Sequence, residues 1–342
     1  MKAVVIDKIK AIQDDTEPVI FTEMPDPHPG EGEILLQVSA CGVCHTEIDE
    51  IEGRTPPLEF PIIPGHQVVG KVVELGPKVK NRKVGERVGV GWIYHACGKC
   101  HYCLTDRENL CSDFLATGRD RHGGYAQYMC VPEEFALPIP EEIEDIYAAP
   151  LLCAGAIGFR SLRLANMENV RNLGLTGFGA SAHLVLKTVH NLFPKTRLYV
   201  FARSEGERQF ALELGATWSG DTADEPPVKL DAIIDTTPAW LPVVMAARFL
   251  APGGRLVINA IRKESTDKAC LLNIEYSRDL WMEKEIKSVA NVTRKDITEF
   301  LKVAAHIGLK PHVQVYNLSE AARAIKELKA RKIKGAKVLK IV

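Results

Sequence analysis

Four cysteines fall close together in one segment that also contains Gly and Lys. They are Cys97, Cys100, Cys103 and Cys111, with two, two and seven residues between them. Four thiolates in one short loop complete the tetrahedral coordination of zinc and leave no position for a reactant. Clustered thiols in a reducing compartment are typical of metal ligands rather than disulfides. Residues 95–113 therefore predict a lobe that holds a structural zinc.

A second set of potential ligands is spread along the chain. Cys44 ends a Gly-Val-Cys run, His66 lies in Gly-His-Gln, and Cys153 lies in Leu-Cys-Ala-Gly. A single buried Cys is more often a packing residue than a ligand. Two thiolates and one imidazole brought together, however, would hold zinc and leave its fourth position open for water or a substrate oxygen. Such a site would be catalytic.

A glycine-rich turn joins a predicted strand to a predicted helix. Gly177, Phe178, Gly179, Ala180 and Ser181 begin the pattern G-x-G-x-x-A, whose last residue is Ala182. Glycine allows a tight turn and close approach of the backbone, and the helix N-terminus faces a pyrophosphate. The turn predicts a dinucleotide site.

The end of the next strand bears on the choice between NAD and NADP. Enzymes that use NAD usually carry Asp or Glu there, to accept from the ribose 2′-hydroxyl. Here the strand ends in Ala202, Arg203 and Ser204. Arg203 and Ser204 could hold a 2′-phosphate, because Arg pairs well with phosphate. Arg203 could instead stack beside adenine, so the residues favour NADP and leave NAD open.

The combined motifs resemble the medium-chain, zinc-containing alcohol dehydrogenase family over essentially the whole chain. The shared order is a catalytic Cys, a Gly-His pair, a four-cysteine lobe, a helix-borne Cys and a Gly-rich nucleotide turn. The resemblance implies that Cys44, His66 and Cys153 hold a catalytic zinc, which lowers the pKa of a bound alcohol and favours hydride transfer to a nicotinamide. Each chain would then carry one catalytic and one structural zinc.

The resemblance also assigns roles to neighbouring residues. Thr46 is expected to hydrogen-bond the substrate oxygen and pass its proton outward, and Glu47 to orient the zinc-bound imidazole. His45 matches a position near the cofactor pyrophosphate. Trp92, and more weakly Ile51, are candidates for the substrate wall, although a Trp in a strand-rich domain is more often core. An aromatic wall suits primary aliphatic or aryl alcohols and the corresponding aldehydes.

Three positions depart from the family pattern. Gln67 follows the ligand His where many members have Glu, so ligand exchange by that carboxylate is in doubt. Asp49 replaces a relay His, and the proton would leave through Asp49, through the cofactor ribose and water, or by another path. Ile157 replaces a Thr beside the nicotinamide ring. None of these changes removes a zinc ligand.

The elements around the motifs change character near residue 150. Before it, short apolar runs separated by Gly and Pro indicate an irregular, mostly β domain. These runs are 34–40, 68–75, 87–91 and 125–131. After it, a helical run at 151–165 leads to alternating strands and helices, which predict a doubly wound parallel sheet of the α/β class. The predicted strands are 172–176, 198–201, 231–235 and 255–258, and the helices 180–191, 205–214 and 239–250.

Past residue 290 an amphipathic helix, a helix at 319–331 and a strand at 336–342 complete the predicted elements. The resemblance implies a GroES-like, mainly-β catalytic domain at 1–148 and 292–342. It implies a Rossmann nicotinamide-dinucleotide domain at 149–291. Members of the family without a large insertion near the lobe are often tetramers, so the resemblance and the compact lobe imply a homotetramer or a homodimer.

Composition limits the partners. The 342 residues include 43 basic and 44 acidic side chains, with a formal net charge of −1. This balance gives no electrostatic footprint for nucleic acid or a membrane surface. The chain opens without a secretory apolar region, and no apolar run reaches the ~18 residues that span a bilayer. We expect a cytoplasmic protein whose partner is a small alcohol or aldehyde.

Three alternative functions stay in view. A zinc-independent quinone or enoyl reductase typically lacks Cys44, Cys153 and the four-cysteine lobe. A polyol or secondary-alcohol dehydrogenase typically has Glu in place of Cys153, although the motifs alone do not exclude one. A non-catalytic zinc- and dinucleotide-binding relative would be expected to lose residues of the open site, and Thr46 and all three ligands are present.

Overall fold

The computed structural model describes residues 1–331 and 335–341. They form two compact units, the first made of Met1–Ala156 and Val292–Val342 and the second of Ile157–Asn291. The sequence predicts the two domain boundaries at 148/149 and 291/292. In the structure the first boundary lies between Ala156 and Ile157, so that Cys153 belongs to the first unit together with Cys44 and His66.

The bounds of the elements are as follows. The strands are β1 (Lys2–Val5), β2 (Ile20–Glu23), β3 (Glu33–Val43), β4 (Val68–Leu75), β5 (Arg87–Val90), β6 (Ile93–His95), β7 (Leu115–Ala116), β8 (Tyr128–Pro132), β9 (Ala136–Pro138), β10 (Asn172–Thr176), β11 (Arg197–Phe201), β12 (Trp218–Gly220), β13 (Leu230–Asp235), β14 (Leu250–Ile258), β15 (Glu285–Ser288), β16 (Val313–Asn317) and β17 (Ala336–Lys340). The α-helices are α1 (His45–Ile51), α2 (His101–Leu104), α3 (Asp145–Pro150), α4 (Ala156–Ala165), α5 (Ala180–Leu192), α6 (Glu205–Glu213), α7 (Leu241–Phe249), α8 (Arg294–His306) and α9 (Ala321–Lys329). Short 3-10 turns lie at Glu108–Leu110, Glu133–Phe135, Met167–Asn169, Lys268–Asn273 and Leu318–Glu320, and π-helical turns at Leu151–Gly155 and Tyr276–Leu280.

The first unit is built on a mostly antiparallel sheet. Its strand order is β16-β17-β3-β4-β5-β9, with β8 also paired to β3. The long strand β3 is almost entirely buried because β4, β8 and β17 all pair with it. It ends at Val43, so the core delivers Cys44 directly to the start of α1.

The second unit is a parallel sheet in the order β12-β11-β10-β13-β14-β15. Every pairing within it is parallel, and this order is that of a doubly wound Rossmann fold. The predicted fold class is confirmed. The strand order reverses beside β10, where such folds bind ligands at the carboxyl ends of the strands.

The helical segment around Cys153 differs from its prediction. It begins at Asp145 rather than 151, and Pro150 ends α3 before the π-helical turn that carries Cys153. Proline lacks the N–H that would continue the α-helical pattern, which accounts for an irregular turn here. By length and composition Asp145–Ala165 could cross a membrane, but 61% of its apolar window is buried inside the fold. A mostly buried core helix meets the same criteria of length and composition.

Several other bounds differ from the sequence expectations. Helix α7 starts at Leu241, where Pro242 occupies the first turn, and β14 starts at Leu250. Strands β12, β15 and β16 were not anticipated. The final strand ends at Lys340, and the predicted position 342 lies outside the described residues.

Candidate metal centres and dinucleotide turn

Cys44, His66 and Cys153 come together in the first unit. Their ligand atoms all lie within 4.8 Å of one another, and the Nε2 atom of His66 is 3.3 Å from the Sγ atom of Cys153. Cys44 is the N-cap of α1, and Cys153 lies in the π-helical turn. Two sulfurs and one imidazole nitrogen are a donor set that suits zinc with one open position.

The backbone before His66 depends on glycine. Gly65 has φ +97°, and a Cβ added there would lie 2.3 Å from the ring of Tyr125. A larger residue would therefore be strained and would collide with the core. The Gly-His pair thus fixes the direction from which His66 approaches the centre.

Glu47 connects two of the ligand residues. It is fully buried on α1, and its Oε2 atom accepts a hydrogen bond of 2.6 Å from the backbone N–H of Cys44. Its Oε1 atom lies 2.8 Å from Nδ1 of His66, which leaves Nε2 of that ring for a metal. This is the arrangement by which a carboxylate orients a ligating imidazole.

The electrostatics of the centre favour a thiolate beside an imidazolium. The hydrogen bond from Cys153 is the main cause that holds the pKa of Cys44 well below its ordinary value despite burial. The hydrogen bond and the charge of His66 lower this pKa further. Burial opposes protonation of His66, but the charges of Glu47 and Cys44 raise its pKa well above the usual value. The hydrogen bond to Cys44 and burial raise the pKa of Cys153. A divalent metal would replace the protons that these groups share.

The neighbours of the trio lie as follows. The hydroxyl of Thr46 is 3.6 Å from the Sγ atom of Cys44, and His45 is exposed. Asp49 is buried and accepts a 2.6 Å hydrogen bond from Nε of Arg54. Gln67 is also buried; its amide packs on Gly42, where a Cβ would lie 2.4 Å from the amide oxygen.

Trp92 lies against the ligand histidine. Its ring meets that of His66 edge-on at 5.6 Å and stacks on Phe114 at 5.7 Å. The guanidinium of Arg119 lies over the Trp92 ring at 5.4 Å. Trp92 itself is buried, at 3% exposure, and Ile51 is fully buried in the core of the first unit.

The four cysteines of the lobe also converge. The Sγ atoms of Cys97, Cys100, Cys103 and Cys111 all lie within 4.8 Å of one another. Backbone N–H groups of Lys99 and Cys100 lower the pKa of Cys97 to about 6, whereas burial and Cys100 raise that of Cys103 to about 12. Four sulfurs with no room for a fifth ligand fit a closed zinc site.

The Gly-rich turn has the geometry of a dinucleotide loop. Gly177 has φ +77°, which favours glycine, and Gly179 is the N-cap of α5. A Cβ at Gly179 would meet nothing within 4 Å, so the helix N-terminus is open to a ligand. The side chain of Phe178 is buried against Phe210, leaving its backbone at the turn. Ser181 accepts a 3.4 Å hydrogen bond from the amide of Asn259.

The end of β11 presents one exposed cation. Arg203 is exposed, while Arg208 donates to the backbone carbonyls of Ala202 and Arg203. The Ser204 hydroxyl accepts from the N–H of Glu207 and caps α6. Ile157, on α4, is partly buried and packs against the core of the second unit.

The comparisons with known proteins agree with this geometry. The family model "Alcohol dehydrogenase GroES-like domain" matches residues 30–141. A probable alcohol dehydrogenase AdhA of Mycobacterium tuberculosis is 40% identical over 332 residues, which cover 96% of this chain and 94% of that protein. The chain belongs to the zinc-type medium-chain alcohol dehydrogenase family.

Other members of the family align over the full length. An alcohol dehydrogenase of Geobacillus stearothermophilus is 31% identical over 350 residues, covering 100% of this chain and 99% of its own. A cinnamyl alcohol dehydrogenase of Sorghum bicolor (SbCAD4) has the same fold, with a TM-score of 0.85, 24% identity and coverage of 99% and 98%. The family resemblance inferred from the motifs is confirmed.

Within this alcohol dehydrogenase fold, two features were missed by sequence reasoning. Glu50 is fully buried on α1, and in the described part of the chain neither of its oxygens has a hydrogen-bond partner; burial and the charge of Glu47 raise its pKa well above normal. Asp235 is buried at the end of β13, where it pairs with Lys263 and accepts a 2.5 Å hydrogen bond from Thr176. Two acids three residues apart on a short helix were a sequence signal that could have pointed to Glu50. Nothing in the sequence pointed to Asp235.

Proposed function

We propose that this protein is a zinc- and NAD(P)-dependent alcohol dehydrogenase that interconverts a small primary alcohol and its aldehyde. The observation that carries the proposal is the convergence of Cys44, His66 and Cys153, whose ligand atoms all lie within 4.8 Å. Three ligands and one open position are characteristic of catalytic rather than structural zinc. When bound, zinc supplies Lewis acidity and the nicotinamide accepts or delivers hydride.

The residues of the chain hold and orient the reactants. The thiolates of Cys44 and Cys153 and Nε2 of His66 are the metal ligands, and Glu47 fixes the His66 ring through Nδ1. The Thr46 hydroxyl, beside Cys44, accepts the proton of the alcohol. Asp49, held by Arg54, is the buried carboxylate of the same helix at the position of the relay histidine, and the proton leaves through it or through the cofactor ribose and water. Trp92 forms an aromatic wall that suits aliphatic or aryl primary alcohols.

The test combines metal analysis with turnover. The protein should contain two zinc ions per chain, because two ligand groups are present. Cys44→Ser should lose one zinc and all measurable turnover of alcohols and aldehydes, with an unchanged circular dichroism spectrum. A Cys44→Ser protein with normal turnover, or a wild-type protein that turns over none of a panel of primary alcohols and aldehydes, would rule out the proposal.

The cofactor is NADP rather than NAD in this proposal. The support is the exposed Arg203 at the tip of β11 and the absence of an acid there; Ser204 contributes less, because its hydroxyl caps α6. Removing a charge-assisted hydrogen bond costs ~1.5–3 kcal/mol, so Arg203→Ala should lower kcat/KM for NADPH roughly 10- to 100-fold and leave that for NADH nearly unchanged. Stronger wild-type activity with NADH would contradict this choice.

The assembly and location complete the proposal. All nine cysteines are free, and their clustering suits a reducing compartment such as the cytoplasm. The enzyme forms a homodimer or homotetramer. Support for self-association comes from the edge strand β15, whose four residues are all exposed.

A further inference from the structure

Glu108 links the four-cysteine lobe to a distant helix. It lies between Cys103 and Cys111 and is only 2% exposed. Its Oε1 atom accepts a 2.8 Å hydrogen bond from the backbone N–H of Arg294, 186 residues later, and a 3.2 Å bond from Nε of the same residue. Arg294 is the first residue of α8, so a buried carboxylate is bound at the positive end of a 13-residue helix.

The N-cap of α8 does not replace this contact. Thr293 and Asp296 form a capping box that satisfies the N–H groups of each other. The N–H of Arg294 lies outside that box, and its acceptor is Glu108. The lobe therefore supplies a hydrogen bond that the helix cannot make for itself.

Helix α8 in turn packs on the segment that carries Cys153. Phe300 is 1% exposed and so close to Gly155 that a Cβ there would lie 2.3 Å from the Phe300 ring. On the other side of Cys153, a Cβ on Gly91 would lie 2.6 Å from Ile297 and 3.3 Å from the carbonyl oxygen of Leu152. Phe300 of α8 thus packs directly on the π-helical turn after Cys153, and Ile297 of α8 packs on Gly91, which adjoins Leu152 before Cys153.

We propose that Glu108 is a positioning residue for the catalytic metal centre. It fixes the start of α8, and α8 fixes the turn that presents the Cys153 thiolate, so the closed zinc lobe sets the geometry of the open site. All the contacts lie within the first unit. The inference rests on the proposed function, because it requires a metal at the Cys44, His66 and Cys153 trio.

The experiment measures zinc release from the full chain into an excess of the chelating dye 4-(2-pyridylazo)resorcinol. The release phase of the lobe is assigned with Cys44→Ser, which retains only the lobe site. Glu108→Ala should accelerate release from the catalytic trio about tenfold, since loss of outer-shell support weakens metal sites 10- to 100-fold. Glu108→Gln, which keeps an acceptor for the N–H of Arg294, should accelerate it less, roughly threefold. Cobalt-substituted Glu108→Ala should show shifted absorption bands for the catalytic site.

A matched control comes from the same junction. Lys295 forms a 2.8 Å ion pair with Asp106, and both side chains are more than half exposed. Lys295→Met should therefore change neither release phase. If Glu108→Ala does not fold, the rate of zinc release from Glu108→Gln is the deciding measurement. Unchanged catalytic-site release in a folded Glu108 variant, or acceleration of the lobe phase alone, would overturn the inference. Absence of zinc from the wild-type trio would instead refute the proposed function.

Discussion

At the scale of single residues, two buried acids on α1 have different surroundings. Glu47 bonds the N–H of Cys44 and lies 2.8 Å from Nδ1 of His66, whereas Glu50 has no hydrogen-bond partner among the described residues. Both are fully buried and both bear on the charge of the same centre. They therefore allow the orienting contact to be separated from the mere presence of a buried carboxyl group on this helix.

We expect Glu47→Gln to weaken zinc binding at the catalytic trio roughly 10- to 100-fold, because an amide orients the imidazole less well and lowers its basicity. The measurement is competition for zinc with a chelator of known affinity. Glu50→Gln is the control, since it replaces the other buried carboxyl group of the same helix without touching a ligand residue. Equal losses in the two variants would show that the contact between Glu47 and His66 is not what supports zinc binding.

The sequence predicted the candidate ligands and their neighbour Glu47, but not the more distant residues that support them. Cys44, His66 and Cys153 could be predicted because they occur in short runs that resemble a known family. The partners Glu108 and Arg294 are 186 residues apart, and although Glu108 lies inside the four-cysteine lobe, nothing in that motif points to Arg294. Contacts of this kind depend on how elements pack, so no local pattern reports them.

At the scale of elements, α9 and β17 share a buried ion pair. Lys337 on β17 is fully buried, and its Nζ atom donates to Glu327 at 2.7 Å, to Gln314 at 2.9 Å and to the hydroxyl of Tyr316 at 2.5 Å. The hydrogen bonds from Lys337 and Tyr316 lower the pKa of Glu327 from its ordinary 4.5. The carboxylate is the one negative partner that the described residues offer this lysine.

Glu327→Gln should destabilise the fold by about 2–3 kcal/mol at pH 7, because it leaves the buried ammonium of Lys337 without its counter-charge. The expected loss is smaller than for a fully buried ion pair, since the side chain of Glu327 is 31% exposed. Because the pKa of Glu327 is lower in the folded than in the unfolded protein, its ionised carboxylate stabilises the fold above the unfolded pKa. This stabilisation is lost as the pH falls through the folded pKa. Urea unfolding at several pH values should therefore show a wild-type advantage that is full near neutrality and declines below about pH 4.5. Glu31→Gln, in an exposed pair with Lys78, should change stability little at any pH. An advantage that does not decline in acid would contradict this account.

Elements with a strong local pattern were predicted well, and those without one were missed. The strand at 172–176 and the helix that follows the Gly turn agree with β10 and α5, since alternation of strand and helix is a local signal. Strand β15 reads Glu-Ile-Lys-Ser and has no buried face, so nothing in its sequence distinguishes it from a loop. Its pairing with β14 is what makes it a strand.

At the scale of the whole molecule, the edge of the parallel sheet is uncovered in the described chain. β15 is the last strand in the order, all four of its residues are exposed, and Trp281 and Met282 just before it are more than half exposed. An exposed edge strand offers unpaired backbone N–H and C=O groups, which are a template for pairing with another chain. Its charges suit a second copy: antiparallel pairing about a two-fold axis at Ile286 would place Glu285 of each copy opposite Lys287 of the other.

We therefore expect the wild-type protein to sediment with at least twice its 37.8 kDa chain mass. Lys287→Glu would turn two attractive cross-strand pairs into repulsive ones, which should raise the dissociation constant of the dimer at least about tenfold. Adding Glu285→Lys to that variant restores opposite charges across the axis but removes the contact of Glu285 with Arg255 of its own chain, so the double variant should recover part of the dimerisation. Because a general loss of stability would not be rescued by a second charge reversal, recovery in sedimentation-velocity experiments isolates the pairing itself. A wild-type monomer at micromolar concentration, or equal dissociation constants in all three proteins, would exclude β15 as the interface.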